Sequence, residues 1–144
     1  MIASAIWKKE REFEARSESG HSILFDTVAG HANGPTPMEA VLMALCACTS
    51  VDVVSILQKK RQPFSGLTVS AHAEQLPQPP RTFSHIHLVY RISGNPSKKA
   101  VGDAVSLSKN KYCSVSGMLE KSTKIEFTIE YADEQANSGG PKQA

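Results

Sequence analysis

Thr36-Pro37-Met38-Glu39-Ala40-Val41-Leu42-Met43-Ala44-Leu45-Cys46-Ala47-Cys48-Thr49-Ser50-Val51-Asp52-Val53-Val54-Ser55-Ile56-Leu57-Gln58-Lys59-Lys60 is the stretch whose reading decides the fold. Thr36 and Glu39 have the spacing of a capping box, and Pro37 occupies the first helical position, where its missing N–H costs nothing. No Gly or Pro intervenes from Met38 to Lys60, so the spacing predicts one long helix. Ala40 to Cys48 is apolar on every face of a 3.6-residue wheel, and a helix apolar all round is expected to be buried all round. Beyond Cys48 the pattern turns amphipathic: Val51, Val54 and Leu57 are apolar, while Asp52, Ser55, Lys59 and Lys60 give a wet side. The helix should therefore leave the core at its C-terminal end. There Lys59-Lys60-Arg61 complement the dipole, and Pro63 and Gly66 are expected to stop it.

On the N-terminal side, residues 1–27 carry β-branched and aromatic residues with polar partners between them, which predicts two or three strands with a turn at Ser17-Glu18-Ser19-Gly20. On the C-terminal side, Leu67 to Leu76 and Phe83 to Ile92 both alternate, across a Pro-rich loop, and should pair as a long hairpin. In the second of these, Ile86, Leu88, Tyr90 and Ile92 share the apolar face. Helical spacing over Ser97 to Ser108 and a short helix near Tyr112 to Lys121 precede a last strand at Lys124 to Tyr131. The order β-β-β-α-β-β-α-α-β segregates strands from helices, which argues α+β with mainly antiparallel sheets rather than a doubly wound βαβ fold. A single domain is expected over residues 1–132, followed by a polar, disordered tail over 133–144.

Composition removes several classes of partner. Sixteen Lys+Arg against fourteen Asp+Glu leave a net charge of +2, too balanced for a nucleic-acid or anionic-lipid footprint. The nine-residue apolar run Ala40 to Cys48 falls short of the ~20 residues that span a bilayer, so no membrane segment is expected. The first nine residues lack the basic and long apolar regions of a signal peptide, and the cytoplasm is the expected compartment. A long helix that needs cover on every side is more than a chain of this size can wrap. A second copy is expected to supply the cover, as in obligate homodimers.

Three cysteines form no disulfide framework and, in a reducing compartment, each is a buried apolar residue, a ligand or a reactive thiol. Cys46 and Cys48, two apart, point about 200° away from each other on a helix and cannot form a metal or redox pair. Cys113 lies in or beside the first turn of the short helix, whether Asn110 or Ser114 caps it. The helix dipole together with Lys109 and Lys111 would there favour a thiolate. His85 and His87 share a strand face but lack a third ligand at readable spacing, and no phosphate-cradling or serine-nucleophile motif occurs, so no metal and no cofactor are expected.

The run Pro35 to Leu57, with Pro80-Arg81-Thr82-Phe83 ahead of a strand and Lys111-Tyr112-Cys113-Ser114-Val115-Ser116 later, resembles the OsmC/Ohr superfamily and, within it, the YhfA-like branch. The resemblance covers roughly residues 1–131. It implies an OsmC-like fold, an intertwined α+β homodimer with a long central helix from each subunit and two sites at the interface. It implies thiol-dependent reduction of organic or small hydroperoxides, in which Cys48 becomes a sulfenic acid, Cys113 resolves it as a disulfide, and a dithiol reductant restores both.

In the peroxidases of that family a Glu directly follows the helix-start proline and pairs with an Arg from an N-terminal loop. Here Met38 follows Pro37, and Glu39 stands nine residues before Cys48, on the opposite side of an ideal helix. Glu39 therefore reads first as N3 of the capping box, and as a supporting site residue only through the resemblance. Arg16 and Arg81 are the candidate supporting cations, with Arg11 and Arg61 behind them. Without a cation nearby, Cys48 in an apolar helix would react slowly, and Asp52 one turn on would slow it further. The alternative reading is a non-catalytic OsmC-like dimer that binds a small apolar ligand or serves as a slow redox sensor.

Overall fold

Thr36 Oγ1 accepts a hydrogen bond from the Glu39 N–H (3.2 Å), and the Glu39 carboxylate accepts one from the Thr36 N–H (2.8 Å), so the capping box forms as its spacing predicts. The bond from Thr36 is the main reason the Glu39 carboxyl is held below the ordinary carboxylate range, with His31 adding to it against some desolvation. A lowered folded-state pKa stabilises above the unfolded value and is lost as pH falls through the folded one, so this half of the cap fails in acid. Thr36→Ala is expected to lower stability by roughly 0.5–2 kcal/mol, measurable by urea unfolding at neutral pH.

The helix started by this box, α1, runs Pro37–Lys59 in a computed structural model that describes residues 1–132. The tail expected over 133–144 lies outside the described residues. Neither Pro63 nor Gly66 ends α1. Arg61 adopts a left-handed φ of 51°, and the Arg61 and Gln62 N–H groups close on the carbonyls of Gln58 (2.9 Å) and Leu57 (3.0 Å). This pair of bonds satisfies the terminal carbonyls, a task usually given to glycine.

Within the span expected as one domain, the chain packs as two compact units, Met1–Met43 and the residues from Ala44 onward. The first holds an antiparallel meander, β1 (Ala3–Lys9), β2 (Glu12–Ser17) and β3 (Ser22–Asp26), with the β2–β3 turn at the predicted place. Buried Asp26 then organises the loop that leads to the helix by accepting from the N–H groups of Val28 (2.9 Å) and Asn33 (3.1 Å). Asn33 Nδ2 donates to buried Glu12 (2.5 Å). At Gly34 the loop comes so close to β3 that a Cβ would collide with the Leu24 carbonyl.

The second unit is built on β4 (Phe64–Gln75), β5 (Phe83–Gly94) and β6 (Lys124–Ala132), in that order in the sheet. Strands β4 and β5 form the predicted long hairpin, with Val69 opposite Tyr90. Strand β6 runs parallel to β5, reached through α2 (Lys98–Leu107), one π-helical turn (Ser108–Tyr112) and α3 (Ser114–Leu119). Among the described residues this is the one parallel pairing, its helical connection supplying the crossover that parallel strands need, and the other pairings are antiparallel. Ile86, Leu88, Tyr90 and Ile92 are buried as the alternation predicts, with Val101, Ala104 and Val105 of α2.

Burial of α1 on every side is not found within one chain. Leu45, Thr49, Val53 and Leu57, every fourth residue, are buried, whereas Met43 is 55% and Val51 66% exposed. One sheet and two short helices can cover one stripe of a helix. By length and composition α1 would also span a bilayer, because Thr49, Ser50 and Ser55 are uncharged and Asp52 is the lone charge in its middle; counting only the nine-residue apolar run misses this.

Candidate functional site

Four polar side chains meet beside the two cysteines of interest. Asp52 on α1 is a carboxylate and can only accept, so the Ser108 hydroxyl donates to Asp52 Oδ2 (2.8 Å). That uses the single proton of Ser108, so Thr49 Oγ1 donates to Ser108 Oγ (2.8 Å), and the Tyr90 phenol in turn donates to Thr49 (2.6 Å). Every proton in the chain Tyr90–Thr49–Ser108–Asp52 is thereby assigned. Thr49, Tyr90 and Ser108 are fully buried, and burial above all pushes the Tyr90 phenol up to about 12, which keeps it a neutral donor.

Ser108 opens the π-helical turn. Its carbonyl accepts from the Cys113 N–H five residues on (2.8 Å), and this wide turn delivers Cys113 to the start of α3. Neither Asn110 nor Ser114 caps that helix: Cys113 itself does, its Sγ accepting from the Ser116 N–H at 3.4 Å. The Cys113 thiol neighbours the Cys48 thiol closely enough for the two to interact. Cys48 is half-buried, and Cys113 is only 4% exposed.

The expectation that Cys113 sits in a thiolate-favouring environment is overturned. Burial pushes its thiol up; the bonds from Ser116 pull the other way, and the neighbouring Cys48 adds to the rise. Lys111 lies instead 5.4 Å above the Tyr112 ring. Because the attacking species in disulfide closure is the thiolate, and its fraction grows about tenfold per pH unit below the pKa, closure onto Cys113 is expected to accelerate about tenfold per unit from pH 7 to 8. A rate that is flat over that interval, measured by quenched alkylation, would place the Cys113 pKa below it. Cys46, half-buried, is likewise raised by burial.

Of the sequence-predicted residues, then, the structure brings Cys48 and Cys113 together. The three supporting candidates are engaged locally: Glu39 in the cap and 3.5 Å from His31, Arg16 in two bonds to Glu14 (3.2 and 3.1 Å), and Arg81 donating to the Leu76 carbonyl (3.2 Å). His85 pairs with Glu126 (2.9 Å) and His87 with Thr128 (3.1 Å), and among the described residues no group of three or more His, Cys, Asp or Glu is arranged for a metal ion. Thr49 and Ser108 were not singled out from sequence. The signal for Thr49 was its position, a hydroxyl directly after Cys48 on an apolar helix. Asp52 also borders an open cleft of about 400 Å³ that Ile56, Leu107 and Tyr112 line with Ser55, Lys59 and Lys60.

Comparison with known proteins agrees with this architecture. Over residues 30–128 the chain matches the family described as OsmC-like protein. It is 44% identical to Protein YhfA of Escherichia coli (strain K12) over 131 residues, which is 90% of this chain and 97% of that one. A crystal structure of a hypothetical protein from Aquifex aeolicus VF5 superposes with a TM-score of 0.83 at 29% identity, covering 92% of this chain and 96% of that chain. An organic hydroperoxide resistance protein from Elizabethkingia anophelis shares the fold at 15% identity, with a TM-score of 0.69 over 90% of this chain and 94% of its own. With one long helix and two three-stranded sheets, the chain belongs to the OsmC-like protein family.

Proposed function

We propose that this chain is a thiol-dependent peroxidase that reduces organic or small hydroperoxides as a cytoplasmic homodimer. The observation that carries the reading is the proximity of the Cys48 and Cys113 thiols, near enough to influence each other. Cys48, the more exposed of the two, attacks the distal peroxide oxygen: the O–O bond breaks, the alcohol leaves with a proton, and Cys48 becomes a sulfenic acid. Cys113 then forms an S–S bond with it and water departs. A small dithiol returns the pair to two thiols by exchange, itself ending as a disulfide. No metal or organic cofactor enters these steps. The activity named for the Elizabethkingia protein supports the reaction class.

The exposed apolar residues support the dimer. Met43 and Val51 on α1, and Ile6, Trp7, Phe13, Ile23 and Leu24 in the first sheet, lie open in one chain. A second copy covers the helix better than lipid would, because Thr49 and Asp52 tie it to Tyr90 and Ser108. Three free cysteines suit a reducing compartment.

A second reading, a ligand-binding or slow redox-sensing dimer without turnover, is favoured by the local engagement of Glu39, Arg16 and Arg81 and by the apolar lining of the cleft beside Asp52. Stopped-flow thiol titration with an alkyl hydroperoxide, followed by steady-state turnover with dithiothreitol, separates the two. The peroxidase reading expects rapid loss of two thiols per chain and many turnovers per site; slow, stoichiometric oxidation with no turnover supports the second.

A further inference from the structure

Ser108 is bonded to both cysteine-bearing elements of the site. Its side chain accepts from Thr49 and donates to Asp52, residues that flank Cys48 on α1 at one and four positions. Its carbonyl holds the Cys113 N–H at 2.8 Å through the π-helical bond. Two bonds from a fully buried hydroxyl therefore fix the turn against the helix, and one backbone bond passes that placement to Cys113. A π turn is rare and less regular than the α-helix it interrupts, so the geometry persists where such outside bonds hold it.

We propose that Ser108 is a positioning residue that sets Cys113 against Cys48 for disulfide closure, with Asp52 and Thr49 as its anchors. The inference rests on the roles given above to the two cysteines, but it concerns the closing step alone. Asp52 acts here as a hydrogen-bond acceptor. Its charge is not needed, because an amide oxygen at the same place would accept from Ser108 equally.

The test loads Cys48 without peroxide, in a Cys46→Ala background that leaves two thiols. Dithiobis(nitrobenzoate) exchanges with Cys48 and releases one thionitrobenzoate. Attack by Cys113 on that mixed disulfide releases a second and leaves the Cys48–Cys113 bond, so the two phases report loading and closure separately. Ser108→Ala is expected to slow the second phase by about tenfold or more while changing the first by less than about threefold, as misplacement of a reacting group does. Asp52→Ala should slow the second phase in the same way, and Asp52→Asn should restore it to within about threefold of wild type. If Ser108→Ala does not fold, the Asp52 pair carries the test. A second phase at wild-type speed in Ser108→Ala or in Asp52→Ala overturns the proposal, as does Asp52→Asn closing as slowly as Asp52→Ala. Failure of the peroxidase reading would appear instead as a wild type that closes normally with this reagent while Cys113→Ser gives no trappable sulfenic acid with peroxide.

Discussion

Cys48→Ser is expected to lower hydroperoxide turnover by a factor on the order of 10³ or more, because it removes the nucleophile on which every later step depends. The alternative nucleophile is poorly placed. Cys113 is 4% exposed and its thiol is raised by burial, so at neutral pH it offers little thiolate and little access. Cys46 is also raised by burial and, two residues from Cys48, points to another side of the helix. Cys113→Ser should act differently. The first oxidation should proceed at close to the wild-type rate, and the sulfenic acid on Cys48 should then persist long enough for a dimedone-type reagent to trap it. Steady-state assays with dithiothreitol, paired with trapping and mass spectrometry, distinguish the two variants. Turnover within tenfold of wild type in Cys48→Ser would move the chemistry to another thiol.

The second large effect is expected from Val51→Glu. Val51 is 66% exposed on α1, and with Met43 it lies on the part of the helix that one chain leaves open. If a second copy covers that surface, the substitution buries an unpaired carboxylate, a change that costs about 3–5 kcal/mol where no partner compensates it. The dimer dissociation constant should then rise by on the order of 10²-fold or more, with loss of the folded state at micromolar concentration. Were Val51 at a solvent-facing surface, Glu would be tolerated with a change of about 0.5 kcal/mol or less. Sedimentation velocity across a dilution series, run on wild type and Val51→Glu together, reads the difference directly.

Particular elements show how far the sequence could be read. The capping box at Thr36 and Glu39, the alternation that buries Ile86, Leu88, Tyr90 and Ile92, and the turn before β3 are local patterns, and each forms where its residues predict. The helix α1 ends at Lys59, where the sequence places its end, but the stop comes from a left-handed turn at Arg61, a residue with no such signature, rather than from the conspicuous Pro63 and Gly66. The helix start and two lysines around Cys113 are legible in sequence, whereas burial of its sulfur depends on how the π turn folds against α1. No 3.6-residue wheel announces a five-residue hydrogen bond, so Ser108 could not be placed beside Thr49 and Asp52, from which 59 and 56 positions separate it. The pairing of Cys48 with Cys113 came from resemblance, since spacing alone excludes only a pairing of Cys46 with Cys48.

Peptide mapping after one equivalent of an alkyl hydroperoxide shows which two thiols pair. The wild-type protein is oxidised, unfolded, alkylated without reduction and digested. Two thiols per chain should be lost, one Cys48–Cys113 disulfide should form, and Cys46 should be recovered alkylated. A disulfide joining Cys46 to Cys113, or complete oxidation that leaves Cys48 alkylated, would contradict this pairing.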